Sequence, residues 1–346
     1  MPFTAQELTN IANAALDFYI KGPAMAQSIQ KRPTLDAFKA KQKTFPGGKA
    51  DIRRNVKGTY TSSFVGYSHD DTVTYANPAN IKQTAYPWRE IHAGISVTHT
   101  ELKNDGISVS ENDNDTTEHS QREMTAITNL LEDKLDDLSE GSARSHNEML
   151  WRDGTQDAKA FPGILSLVTL TPTVGVKGGI DAATNTWWRN RALVGGNKIT
   201  ASGTNQTLTK TLRSEVRQLT RYGGRPSLLP AGSAFLDALE LEVAEKGIYT
   251  QEGFTNKGKT DIGMADISMR GVGSFYYDPT LDDLGMSKFA FFLDPAHLYL
   301  DVMDGEDMKT HSPRRPADKY VMYRGLTWTG GMVADQLNCH GVYEVA

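Results

Sequence analysis

The chain carries a single cysteine, Cys339, in 346 residues. One thiol cannot build a disulfide framework or a thiolate zinc site, and such sparse usage fits a reducing compartment. Long apolar runs are also missing. The greasiest stretch, Phe289-Ala290-Phe291-Phe292-Leu293, stops at Asp294, well short of the ~18 residues that a membrane span needs. The start, Met1-Pro2-Phe3-Thr4-Ala5-Gln6-Glu7, has neither a basic opening nor an apolar block, so no secretory signal is expected. Eight histidines are scattered without an H-E-x-x-H motif or a His/Cys cluster, which removes the usual zinc patterns. No G-x-S-x-G or other nucleophile signature is present, and no internal repeat.

What remains is an ordinary folded composition, 38% apolar and 23% charged, long enough for one large or two modest domains. The net charge of −5 hides two opposed blocks. Lys21 to Lys57 holds ten Lys and Arg against Asp36 and Asp51, a net +8. Glu111 to Glu140 holds ten Asp and Glu against Arg122 and Lys134, a net −8. Solvated faces are the simplest account of such blocks.

Periodicity organises the chain. Leu8, Ile11, Ala12, Ala15, Leu16 and Tyr19 have helical spacing, closed by Gly22-Pro23. Residues 23 to 57, with Pro23, Pro33, Pro46, Gly47 and Gly48 among lysines, read as an arm without a core of its own. Gly58 to Tyr67 and Thr72 to Tyr75, rich in Thr, Tyr, Val and Phe, read as two strands around a Ser68–Asp71 turn. An isolated hairpin is marginal in water, so this one needs another surface, and a second subunit can host it. Met124, Ile127, Leu131, Leu135 and Leu138 then mark a long amphipathic helix, about 117–153, roughly 50 Å at ~1.5 Å per residue. Helices follow around Leu212–Leu219 and from Ser233 to Gly247. Strands are expected at 266–277, 288–293, 297–303, 320–328 and 341–345. The order is that of an α+β fold.

Four stretches carry a resemblance. They are Tyr86-Pro87-Trp88 through Ile95-Ser96-Val97 to Glu101-Leu102-Lys103-Asn104-Asp105-Gly106; Gly178-Gly179-Ile180-Asp181 leading to Trp187-Trp188-Arg189-Asn190; Phe275-Tyr276-Tyr277-Asp278-Pro279 with Phe291-Phe292-Leu293-Asp294-Pro295; and Met322 to Trp328 with Gly341-Val342-Tyr343. In order and spacing the chain resembles, over about residues 45 to 346, the major capsid proteins of tailed bacteriophages with the Hong Kong 97-like fold. The resemblance implies an N-terminal arm (1–57), an extended hairpin loop (58–95), a peripheral domain with the spine helix (96–165 and 301–330) and an axial domain (166–300 and 331–346). It implies a structural virion protein, not an enzyme. Hexamers and pentamers would tile an icosahedral head around double-stranded DNA, assembled in a bacterial cytoplasm, with a portal and in some members a decoration protein. Only about fifty residues precede the expected hairpin, too few for the fused scaffolding segment of some members, so a separate scaffold is expected. Members that cross-link join a loop Lys to an Asn on a neighbour. Here Lys57 and Lys82 can supply the amine, but Asp301 to Gly325 contains no Asn, so no covalent linkage is expected.

Two other classes compete. An encapsulin-like compartment would share the fold and hold protein cargo. A nucleotide hydrolase is suggested by Gly253-Phe254-Thr255-Asn256-Lys257-Gly258-Lys259-Thr260, a full G-x-x-x-x-G-K-[ST] match. That loop follows a helix and precedes a strand-like stretch, the reverse of the required setting, so Gly253, Gly258, Lys259 and Thr260 read as a chance match. Glu111, Asp113 and Asp115 resemble the start of a calcium loop but lack its glycine and terminal glutamate; helix-leading acids explain them. No cofactor or metal is expected. The candidate sites are therefore contacts between subunits. Lys39, Lys41, Lys43, Arg53 and Arg54 of the arm would face Asp133, Asp136 and Asp137 of a neighbouring spine, or else packaged DNA phosphates. Tyr60 and Phe64 on the loop are aromatic contacts. Of Trp187 and Trp188, which cannot face the same way, one fills the core and the other is an interface anchor or a second core contact.

Overall fold

The computed structural model describes residues 3–4, 30–60, 62–75, 80–104, 109–110, 121–245, 267–269, 272–311 and 321–346. The helix expected over 8–19 and the Gly253–Thr260 loop lie outside the described residues. In chain order the main elements begin with α1 (Pro33–Lys39), β1 (Lys43–Phe45), β2 (Asp51–Lys57), β3 (Ile81–Pro87), β4 (Arg89–Thr98) and α2 (Gln121–Trp151). Next come β5 (Val176–Lys177), β6 (Ile180–Asp181), β7 (Arg191–Leu193), α3 (Thr207–Leu219), β8 (Leu229–Ala231) and α4 (Ser233–Glu245). The chain ends with β9 (Ser268–Met269), β10 (Gly273–Tyr277), α5 (Pro279–Asp283), β11 (Phe289–Phe292), β12 (Leu298–Met303), β13 (Lys309–His311), β14 (Val321–Ala334) and β15 (Gly341–Glu344). Helices and mixed sheets confirm the α+β class.

The chain divides into two compact units. The first comprises residues 1–30, 90–146 and 305–329. In it β13 pairs antiparallel with β14 from Lys309↔Thr327 to His311↔Gly325. Lys134 Nζ donates to Glu101 Oε1 at 2.9 Å and to the Ser96 carbonyl at 3.0 Å. Leu135 and Leu138 are buried, as their spacing predicts. The helix α2 runs unbroken through Gly141.

The second unit comprises residues 31–89, 147–304 and 330–346. A six-stranded sheet in the order β9-β10-β8-β11-β15-β7 forms its centre. Apolar residues of α3 and α4 cover it: Leu208, Leu212, Leu219, Phe235 and Leu239 pack with Phe275, Phe292 and Tyr343. Each such side chain removed from water contributes about 1.5–3 kcal/mol. Glu242 of α4, itself buried, accepts from the backbone N–H of Leu208 at 3.0 Å and Thr209 at 2.9 Å. A carboxylate thus caps the positive end of α3. The strands expected over 266–303 and 341–345 appear with ends shifted by a few residues. Only the first is altered in kind, since β9 and β10 form a hairpin.

The arm reading of 23–57 needs correction from residue 33 onward. Pro33 does not break the chain here: it stands in the first turn of α1, where its fixed φ suits a helix and its missing N–H costs nothing. Thr34, Leu35 and Phe38 are buried, and Thr34 Oγ1 donates to the buried Asp278 Oδ2 at 2.5 Å. Trp151 Nε1 donates to the same oxygen at 3.2 Å. β1 then joins β12 in parallel, Asp301↔Lys43 to Met303↔Phe45.

One buried amine is electrostatically unusual. Lys177 is almost fully buried, and its Nζ donates to Asn190 Oδ1 at 2.8 Å. Burial, with the nearby Arg189 charge, pushes this amine down from 10.5 to about 8. Between those values the folded chain binds fewer protons than the unfolded chain, so folding stability rises with pH through that window. Urea unfolding at pH 7.5 and pH 9.5 should show wild type gaining on the Lys177→Met variant as pH rises; parallel profiles would contradict the assignment.

Candidate functional site: an extended loop and its root

Among the described residues, the segment Gly58–Tyr75 carries aromatic and β-branched side chains that are largely exposed. Tyr60 is 82% exposed, Tyr75 94%, and Phe64 fully exposed, with Val65 and Tyr67 nearly as open. Isolated exposed apolar residues are common on proteins, but a cluster of this size marks an interaction surface. The Ser68–Asp71 turn is present as expected, with Asp71 N donating to Ser68 O at 3.0 Å and Ser68 N to Asp71 Oδ2 at 2.8 Å.

The hairpin itself lies elsewhere than expected. Residues 58–60 and 62–75 form no strand. Pairing runs instead between β2 and β3, antiparallel from Asp51↔Pro87 to Lys57↔Ile81. The reason is packing. On β2, Ile52, Arg54 and Val56 alternate inward while Arg53, Asn55 and Lys57 face water; on β3, Thr84 and Tyr86 turn inward. Strand preference follows the half-buried surface a segment meets, and the Tyr/Thr-rich tip meets none.

Four contacts fix this root. Tyr86 Oη donates to the Ala334 carbonyl at 2.7 Å, and burial raises its phenol well above the ordinary value. The Ala85 N–H donates to Gly178 O at 3.0 Å. Gly178 and Gly179 have φ of +55° and +80°, the paired positive values of a tight turn joining β5 to β6. Lys82 Nζ donates to Asn185 Oδ1 at 2.7 Å. Trp187 lies against Gly58, where an added Cβ would come within 2.9 Å of its ring. β3 also passes close over β14, since a Cβ at Gly331 would stand 2.8 Å from Pro87 O.

Charge gathers beneath. Arg54 Nη2 donates to Asp301 Oδ2 at 2.6 Å, and the Asp301 side chain is fully buried. Burial raises the Asp301 carboxyl above its ordinary value, with Arg54 and then Lys43 opposing the shift. Lys43 Nζ stands 3.3 Å from the Tyr299 ring centroid and 4.0 Å from Asp335 Oδ2. Tyr299 Oη donates to Asp335 Oδ2 at 2.9 Å.

The candidate contact residues are therefore dispersed. Lys43 and Arg54 are engaged with charged partners of their own chain, Arg53 is exposed and donates to Gln83 Oε1 at 3.3 Å, Lys41 is exposed, and Lys39 is half-buried at the end of α1. Asp137 is exposed and Asp136 half-buried; the side chain of Asp133 lies outside the described residues. Trp188 fills the core, donating from Nε1 to Lys177 O at 2.9 Å, while Trp187 is half-buried. Asp301 and Tyr299 were missed. The available signal was a lone carboxylate inside the apolar strand Leu298–Met303. Among the described residues no cluster of His, Cys, Asp and Glu could hold a metal ion, and no helix is long and apolar enough to cross a membrane.

No family model matches the chain, and no curated protein matches it. Solved structures do. The chain is similar to a chain of the cyanophage A-1(L) capsid asymmetric unit, with 15% identity, a TM-score of 0.62, and coverage of 93% of this chain and 94% of that one. A structure from Mycobacterium phage Bobi matches with 15% identity and a TM-score of 0.52, covering 94% and 96%. The capsid of a native GTA particle matches with 14% identity and a TM-score of 0.53, covering 97% and 98%. At such identities these likenesses establish the fold, which is Hong Kong 97-like over almost the whole chain.

The glycine turn gives a direct test of the root. A Cβ at Gly178 would stand 2.7 Å from the Tyr86 ring, at a φ that side chains rarely adopt. Gly178→Ala should cost about 2–4 kcal/mol from left-handed strain plus overpacking, and should speed amide exchange in β3. An unchanged urea midpoint would show that the ring and the turn are not in contact.

Proposed function

We propose that this chain is a major capsid protein, which assembles with copies of itself as hexamers and pentamers into an icosahedral head enclosing double-stranded DNA. The observation that carries this reading is the contrast between a packed loop root and an exposed aromatic tip, in a fold shared over almost its whole length with solved phage capsid structures. Each tip aromatic offers roughly 150–250 Å² for burial. At ~25 cal/mol/Å², several of them covered by a neighbour would supply a substantial part of an intersubunit contact. The role is structural: stability of the particle comes from many repeated contacts, not from a catalytic centre.

The particle would be the virion head, assembled in a bacterial cytoplasm with a separate scaffold and a portal. The arm–spine pairing is proposed now mainly through exposed Lys41 and Arg53 opposite exposed Asp137, each pair contributing only ~0.2–1 kcal/mol; contact of the same cations with packaged DNA is its rival. An encapsulin-like compartment would differ in its contents, protein cargo in place of nucleic acid in the purified particle.

Electron microscopy of the chain expressed with its scaffold should show closed shells. Tyr60 and Phe64 are largely exposed, so with Tyr60→Ser and Phe64→Ser combined the thermal midpoint should stay put while shell yield falls at least tenfold. A chain that never assembles with its scaffold ends the capsid reading, and variant shells at wild-type yield would remove the tip from the interface.

A further inference from the structure

We infer that the Arg54–Asp301 pair is a positioning pin that sets the direction of the extended loop, contributing orientation and not stability. The inference rests on the capsid reading only for its consequence, since the pin lies wholly within one chain.

The pair is built poorly for a stabilising role. A guanidinium and a carboxylate can meet through two parallel bonds, yet here only Nη2 to Oδ2 is made, at 2.6 Å. Arg54 Nε and Asp301 Oδ1 are both buried, and among the described residues neither has a hydrogen-bond partner. A half-satisfied buried ion pair is commonly neutral or worse than an apolar pair of the same volume, because desolvation offsets the attraction. What such a pair supplies is geometric. Ile52 and Val56, which flank Arg54 on the same face, make apolar contact, which is non-directional and tolerates small rotations. The 2.6 Å bond does not, and it joins the middle of β2 to the middle of β12, where Asp301 is paired on both sides, to Lys43 and to Gly331. Lys43, Tyr299 and Asp335 surround it, so displaced charges would face an unfavourable rearrangement.

Direction matters because the loop is a lever. Beyond the root, residues 58–80 can reach up to ~37 Å out and back at ~3.4 Å per residue, so a rotation of ~10° at β2 moves the tip by roughly 6 Å. That is about a side chain's length, enough to misplace Phe64 on any neighbouring surface. A loop meant to meet the same surface in every copy needs its angle set before it meets anything.

The test uses the full, unassembled chain, so its outcome is independent of whether shells form. Spin labels at Lys57→Cys, the exposed last residue of β2, and Lys210→Cys on the exposed face of α3 report the direction in which the ribbon leaves its root; the native Cys339 is buried. The background with Arg54 and Asp301 intact should give one narrow distance distribution. Arg54→Met with Asp301→Leu should at least double its width while shifting the thermal midpoint by less than about 5 °C. If that pair of substitutions fails to fold, Arg54→Lys, which keeps the charge and shortens the reach, is judged by the same two readings. An unchanged width overturns the pin, whatever happens to the midpoint. A large loss of midpoint with a widened distribution also overturns it, because the pair would then be holding the fold together.

Discussion

The pairing of Leu298–Val302 with Gly330–Ala334 is the constraint on which the loop root depends. It places Tyr299 and Asp301 beneath β2, presents the Ala334 carbonyl to Tyr86, and leaves at Gly331 a gap into which the Pro87 backbone fits. β1 closes the other side of β12 and brings Lys43 to the Tyr299 ring. Each of these contacts is modest alone. Together they hold a two-stranded ribbon that would be marginal as an isolated hairpin.

A firmly held root and an uncovered tip belong together physically. A flexible aromatic loop would fold back onto its own chain or aggregate indiscriminately. Here Trp187 against Gly58 and Lys82 on Asn185 keep the departing strands from collapsing inward. On the proposed reading the apolar area meets another surface, and the entropy of aiming it is lost on folding and not on association. A repeated interface built this way can be weak at each copy and still favour one closed assembly.

Much of this was legible in the sequence. The spine helix, α3, α4 and the late strands follow from spacing and from glycine punctuation, because those elements bury one face against a core within the chain. The Ser68–Asp71 turn followed from its own polar residues. The root did not. Asp51–Lys57 looks like a charged linker until Ile52, Arg54 and Val56 are seen to share a face, and that reading requires knowing that Asp301 waits beneath Arg54. The more conspicuous Tyr/Thr pattern of 58–75 belongs to side chains that stay exposed, so it marks no strand of this chain's own sheets. Pro33 misled for a related reason: one residue serves equally as breaker and as first-turn residue, and only the burial of Leu35 and Phe38 distinguishes them.

Hydrogen exchange measured on the free chain and on assembled shells tests the central claim most directly. Residues 58–60 and 62–75, whose N–H groups pair with no strand, should exchange fast in the free chain and slow at least a hundredfold in shells, while β2 and β3 are protected in both. Equal, fast exchange of 58–75 in the two states would contradict the account.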